Sequence, residues 1–203
     1  MAATHLELLV EEPSMEAFLR GLLPRLLPQN RSFEIHAFQG KDDLLRKLDS
    51  RLRGYAHWLP QDWRILVVVD RDDVYCQALK ARLDQIAREC GLRTDRARAD
   101  WQLVNRIAVE ELETWYFGDW DAVRASYPRV SVSIPGKQAH REPDAIAGGT
   151  WEAFERILQR HGYFKTGLPK VEVARALAEH LSPHANRSAS FRAFLRAVEE
   201  AVR

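Results

Sequence analysis

Cysteine is scarce: the 203-residue chain has two, Cys76 and Cys90. Both fall on one amphipathic helical pattern, fourteen residues apart. That is about 21 Å along a helix, too far for a disulfide. Neither has a Cys or His neighbour at metal-ligand spacing, so no zinc site is indicated. His57, His161, His180 and His184 also lack such spacing. Long apolar runs are missing too. No segment approaches the length of a membrane span, and the N-terminus has no basic stretch leading into an apolar one. A reducing, cytoplasmic setting without a membrane partner is the expectation. Charge of one sign is absent as well, with 30 Lys+Arg against 29 Asp+Glu. Overall charge therefore neither points to a nucleic-acid partner nor excludes one, and any basic surface must be local. There is no Ser-His-Asp order, no Cys-His constellation and no P-loop pattern, which argues against ATP hydrolysis by that route.

What is present is an ordinary globular composition, 46% hydrophobic and 29% charged. His5 to Val10 reads as a strand ending in Leu-Leu-Val, and a helix follows with Ser14 as the expected N-cap. Pro24 and Pro28 should limit or kink that helix. Phe33 to Phe38 alternates as a second strand. Gly40-Lys41-Asp42 leads into a helix with Leu44, Leu45 and Leu48 on one face. The run 65–69, Ile-Leu-Val-Val-Val, is continuously apolar and β-branched, as suits a parallel strand covered on both faces. A helix from about Val74 to Cys90 should end at Gly91. Leu103 to Val109 reads as a fourth strand. Strand alternating with helix predicts an α/β fold with a mainly parallel sheet of about four strands flanked by helices. From Tyr127 the texture changes to an irregular Pro- and Gly-rich stretch, then three helical patterns near Trp151–His161, Val171–Leu181 and Ser190–Val202. The expected organisation is an α/β domain over 1–126, with a linker and helical C-terminal part over 127–203 packed on it.

Acidic residues follow three of the four strands: Glu11, then Asp70 and Asp72, then Glu110, Glu111 and Glu113. In open α/β sheets ligands bind beyond the carboxyl ends of the strands. Carboxylates gathered there repel one another unless a cation compensates. Hard oxygen donors with few histidines favour Mg²⁺ or Mn²⁺ over zinc. The plain alternative is that such residues cap the following helix and suit its dipole; Glu111 in particular reads as a first-turn helix residue.

These residues carry a resemblance. Strand-Glu-X-Pro-Ser-X-Glu-helix, followed by a strand ending in Asp-X-Asp, resembles the Toprim domain of topoisomerases, primases and overcoming-lysogenization-defect nucleases. The segments 8–19, 67–73 and 107–119 are more closely similar to the domain of unknown function 4276 family, as are 148–152 and 186–191, so the similarity spans nearly the whole chain. It implies a Toprim-like (Rossmann-like) fold and a Mg²⁺- or Mn²⁺-dependent phosphodiesterase acting on DNA or RNA. It also implies a place in a bacterial defence or mobile-element system with an ATPase partner. Glu11 maps onto the Toprim glutamate, a metal ligand or proton-transfer group, and Asp70 and Asp72 onto the metal-holding pair. Glu110 and Glu113 match the neighbouring acidic motif. Two departures stand out: Glu12 where Toprim usually has Gly, and Met15 where it usually has an acid. They keep a second reading open, a non-catalytic Toprim-like subunit that binds nucleic acid or a partner protein.

A phosphodiester substrate also needs cations. Lys41, Arg71 and Arg106 lie near the expected acidic edge. Lys137, Arg141, Lys165 and Lys170 form a second set, in which Tyr163 and Phe164 either stack bases beside Lys165 or belong to the core.

Overall fold

The structure is a computed structural model that describes residues 2–71 and 76–203, with the side chain of residue 76 left aside. Asp72 and the start of the helix expected from Val74 lie outside the described residues.

Four strands form one fully parallel sheet: β1 (His5–Val10), β2 (Ser32–Ala37), β3 (Trp63–Asp70) and β4 (Leu103–Ala108), in the order β2-β1-β3-β4. Helix α1 (Pro13–Leu26) joins β1 to β2, α2 (Lys41–Trp58) joins β2 to β3, and α3 (Cys76–Glu89) precedes β4. The chain steps from β1 outward to β2, then returns across β1 to β3. Reversing direction at constant crossover handedness requires the helices to change face. They do. Leu8, Val10, Leu66 and Val68 share a core with α1, whereas Leu9, Val67 and Val69 share one with α2 and α3. Successive strand residues point to opposite faces, so a continuously apolar β3 feeds both cores at once.

The C-terminal half completes the α1 side. Helices α4 (Glu113–Gly118), α5 (Trp120–Ser126), α6 (Thr150–Arg160), α7 (Lys170–His180) and α8 (Ala189–Val202) contribute Trp115, Phe117, Phe154, Leu177 and Phe194 to the core that holds Leu8 and Val68. Between α5 and α6 runs the irregular stretch expected from the sequence, punctuated by three short 3-10 turns. Gly91 takes φ 82° just beyond α3, the left-handed turn that ends a helix.

Two local expectations change, and one about proline holds. The N-cap of α1 is Glu12 with Pro13 at the first position, and the Ser14 hydroxyl donates to the Glu12 carboxylate instead of capping. Pro in the first turn needs no amide partner, which moves the helix start upstream of Ser14. Pro24 lies near the end of α1, which stops at Leu26 ahead of Pro28, the limit that the sequence suggested. Glu111 lies outside α4, which begins at Glu113.

Two glycines permit close approach. A Cβ on Gly21 would meet the Cβ of Ala178 at 2.7 Å, so this position lets α1 and α7 lie against each other. A Cβ on Gly118 would meet Oδ1 of Asn186 at 2.0 Å. Asn186 is committed there: its Nδ2 donates to the Trp115 carbonyl at 2.8 Å, and its Oδ1 accepts from the Ser188 amide at 2.9 Å. Gly118→Ala is therefore expected to cost about 2 kcal/mol, read as a lower urea midpoint at unchanged m-value.

Candidate functional site at the strand ends

In this strand order the switch point lies between β1 and β3, where connections leave in opposite directions and open a crevice beyond the strand ends. Glu11 follows β1 and Asp70 ends β3. Both are buried, at 9% and 6% exposure. The Glu11 Oε2 accepts the Asp70 backbone amide at 3.0 Å, so one carboxylate bridges the crevice. Pleat alternation puts Asp70 on the same face as Leu66 and Val68, the face covered by α1 and the C-terminal helices.

Three more carboxylates approach from that side. Glu12 caps α1, Glu111 precedes α4, and Glu113 begins it. Glu111 Oε2 accepts the Trp151 amide at 2.8 Å and the Thr150 hydroxyl at 3.2 Å, which satisfies free donors at the start of α6. Glu113 is 2% exposed, and its Oε2 has no hydrogen-bond partner among the described residues. Burial above all, then Glu111 and Glu12, lifts its pKa to about 7 against the pull of Lys170. The buried Tyr116 hydroxyl likewise has no hydrogen-bond partner among the described residues. Burial, with Glu113, Glu12 and Asp70 adding to it, raises that phenol well above its ordinary value.

Lys170 is the first residue of α7, a place where the helix dipole disfavours a cation. Burial also works against its ammonium, yet Glu113, Glu12, Glu111 and Asp70 together hold its pKa above the ordinary value. Its Nζ stands 4.0 Å from Glu12 and 5.0 Å over the Trp151 ring. Lys170 thus serves as an internal counter-ion to carboxylates carried by α1, β3 and the start of α4.

Arg71 and Glu110 pair at the rim. Glu110 takes φ 63°, a left-handed conformation rare for a residue with a Cβ and costing about 1 kcal/mol. Lys41 donates from Nζ to the Arg71 carbonyl at 3.2 Å, so the start of α2 stands beside the crevice. Arg106 is elsewhere. It lies within β4, is buried, and donates to the Ala193 carbonyl of α8 at 2.9 Å. Burial, then Arg96 and Arg196, depresses its pKa to about 10. Lys137, Arg141 and Lys165 are solvent-exposed on the surface of the C-terminal half. Tyr163 and Phe164 are partly buried and pack on the main core.

The donor set bears on whether a divalent ion fits. Glu11, Asp70 and Glu113 are hard oxygen donors, and the partnerless Glu113 Oε2 has capacity to spare. Among the described residues, no three His, Cys, Asp or Glu side chains gather closely enough to hold one ion, and Asp72 lies outside them. Sequence reasoning missed Tyr116 and the counter-ion role of Lys170, and it placed Glu12 only as a departure from the Toprim pattern. The signal for Glu12 was the carboxylate directly before Pro13, whereas Lys170 carried none.

No described helix is long and apolar enough to cross a membrane. No curated protein and no solved structure matches the chain. A family described as a domain of unknown function, DUF4276, matches residues 10–199. That span takes in β1's last residue, the whole acidic crevice and nearly all of α8, and the chain therefore belongs to the DUF4276 family.

Proposed function

We propose that the crevice hydrolyses phosphodiester bonds of DNA or RNA with Mg²⁺ or Mn²⁺, in a Toprim-like manner. The observation that carries this is the Glu11 carboxylate bonded to the Asp70 amide across the switch point, with the buried Glu113 Oε2 lacking a partner among the described residues. Glu11, Asp70 and Asp72 would hold the ion, with Glu110 and Glu113 as the neighbouring donors. Bound there, the ion supplies Lewis-acid polarisation of the phosphoryl group and a water of lowered pKa. The chain's own groups do the rest. Glu113, with a pKa of about 7, can hold or release a proton at Oε2 near neutrality. The Asp70 amide fixes the Glu11 carboxylate across the crevice, which orients it as ligand or proton acceptor. Lys170 offsets carboxylate charge that would otherwise repel a phosphate, and Arg71 and Lys41 stand at the rim where substrate oxygens would pass.

Cleavage of single-stranded and duplex DNA and RNA with Mg²⁺ or Mn²⁺ tests the proposal. Asp70→Asn and Glu11→Gln are expected to lower the rate by on the order of 100-fold or more, as loss of groups that hold or orient a metal does. Equal rates in all three proteins would remove the assignment.

Lys170 favours a second reading. An ammonium already placed among the carboxylates is a built-in cation, which suits a non-catalytic subunit that binds nucleic acid or a partner such as the ATPase of a defence or mobile-element system. That reading expects co-purification with the ATPase and no metal-dependent cleavage even in its presence.

A further inference from the structure

On the opposite face of the sheet, β2 is an edge strand. Ile35, Phe33 and Ala37 turn toward the α1 core, so Ser32 and His36 point to the α2 side, while the Glu34 carboxylate reaches round the edge to Arg20 of α1. Helix α2 lies over the central strands through Leu44, Leu48 and Leu52, leaving a groove of about 690 Å³ between its flank and β2. That volume is in the range of sites that take a ligand of nucleotide size.

The groove has a closed floor and a cationic, aromatic wall. Glu7 on the floor is buried and occupied: the Tyr55 hydroxyl donates to its Oε2 at 2.7 Å, and His36 Nε2 lies 2.8 Å from the same oxygen. Arg46, Lys47 and Arg51 line the helix side. Asp43 is the single carboxylate shared by Arg46 and Lys47, and Arg51 has no ion pair among the described residues. Trp58 closes the far end at 54% exposure. Its ring is propped edge-on by Trp63 at 5.6 Å and at a tilt by Tyr55 at 5.3 Å, which fixes its orientation without covering it. Among the described residues only Val132 is comparably exposed for a large apolar side chain.

We propose that this groove holds the flanking part of a single-stranded polynucleotide, one base stacked on Trp58 and its phosphates on Arg46, Lys47 and Arg51. A rigid exposed aromatic beside cations that outnumber their carboxylate is what sequence-tolerant strand binding uses. The groove also leads somewhere. Helix α2 starts at Lys41 beside the acidic crevice and runs about 27 Å to Trp58, so a strand lying along it would span several nucleotides from the crevice. This rests on the polynucleotide substrate proposed above and names the strand form and the track it follows.

The experiment is anisotropy of a fluorescein-labelled 15-mer of deoxythymidine with the full-length protein in EDTA, where binding is read without cleavage. Wild type is expected to bind, and Trp58→Ala to weaken binding about fivefold or more. Arg46→Glu combined with Arg51→Glu is expected to weaken it further and to reduce the salt dependence by more than one unit of slope. Trp58 and both arginines are exposed, and unchanged circular dichroism will show the variants folded. Absence of wild-type binding, or wild-type affinity in the variants, overturns the proposal. So does equally tight, groove-dependent binding of poly-glutamate, which would make the occupant an acidic peptide. Binding that meets these expectations in a protein that cleaves nothing keeps the groove and removes the catalysis. Cleavage by a protein whose groove variants bind normally does the reverse.

Discussion

Lys170→Met is expected to lower unfolding stability by about 3 kcal/mol in EDTA, the range seen when one partner of a buried charge group is removed. The reason is geometric. Lys170 is the cation shared by Glu12, Glu111, Glu113 and Asp70, and methionine keeps its stem over Trp151 while deleting the charge. The variant also separates the two functional readings. If the crevice takes a divalent ion, Mg²⁺ or Mn²⁺ should restore stability, since a ligand at a hundred times its Kd adds about 2.7 kcal/mol. The restoration should exceed the effect of the same ion on wild type, because the variant's carboxylates have lost the charge of Lys170. A variant destabilised in EDTA and indifferent to both ions would favour the non-catalytic reading.

Glu113→Gln is expected to flatten the pH dependence of stability between the ordinary glutamate value of 4.5 and the folded value of about 7. In that window the folded state keeps a proton that the unfolded state has released, so wild-type stability falls as pH rises and levels off above about 7. The full difference is about 3 kcal/mol. Glutamine has the same shape and cannot ionise. The variant should therefore match wild type near pH 4 and exceed it by up to that amount at about pH 8, measured by urea denaturation in EDTA. Parallel stability curves across the window would mean that Glu113 ionises freely and has access to water.

How much of this was legible beforehand follows the range of the interactions. The four strands were readable because each is a short apolar or alternating run whose signal is local, and the order of helices between them fixed a parallel sheet. Glu11 and Asp70 were readable for the same reason, each being the first polar residue after a buried run. Lys170 was not, because nothing near it in sequence distinguishes it from a solvated loop lysine. Its meaning comes from α7 lying on α1, which depends on a missing Cβ at Gly21. Glu111 was misread as a helix residue because its partners, Thr150 and Trp151, belong to a different helix. Arg106 read as a rim cation, since a strand pattern gives the position of a side chain but not the carbonyl that its head will find.

The pairing of α1 with α7 has a bearing on biosynthesis. A chain made from its N-terminus has its four strands and all the crevice carboxylates in hand well before residue 170 leaves the ribosome. The nascent sheet therefore waits without Lys170, and a helix made late brings that charge to its acidic end.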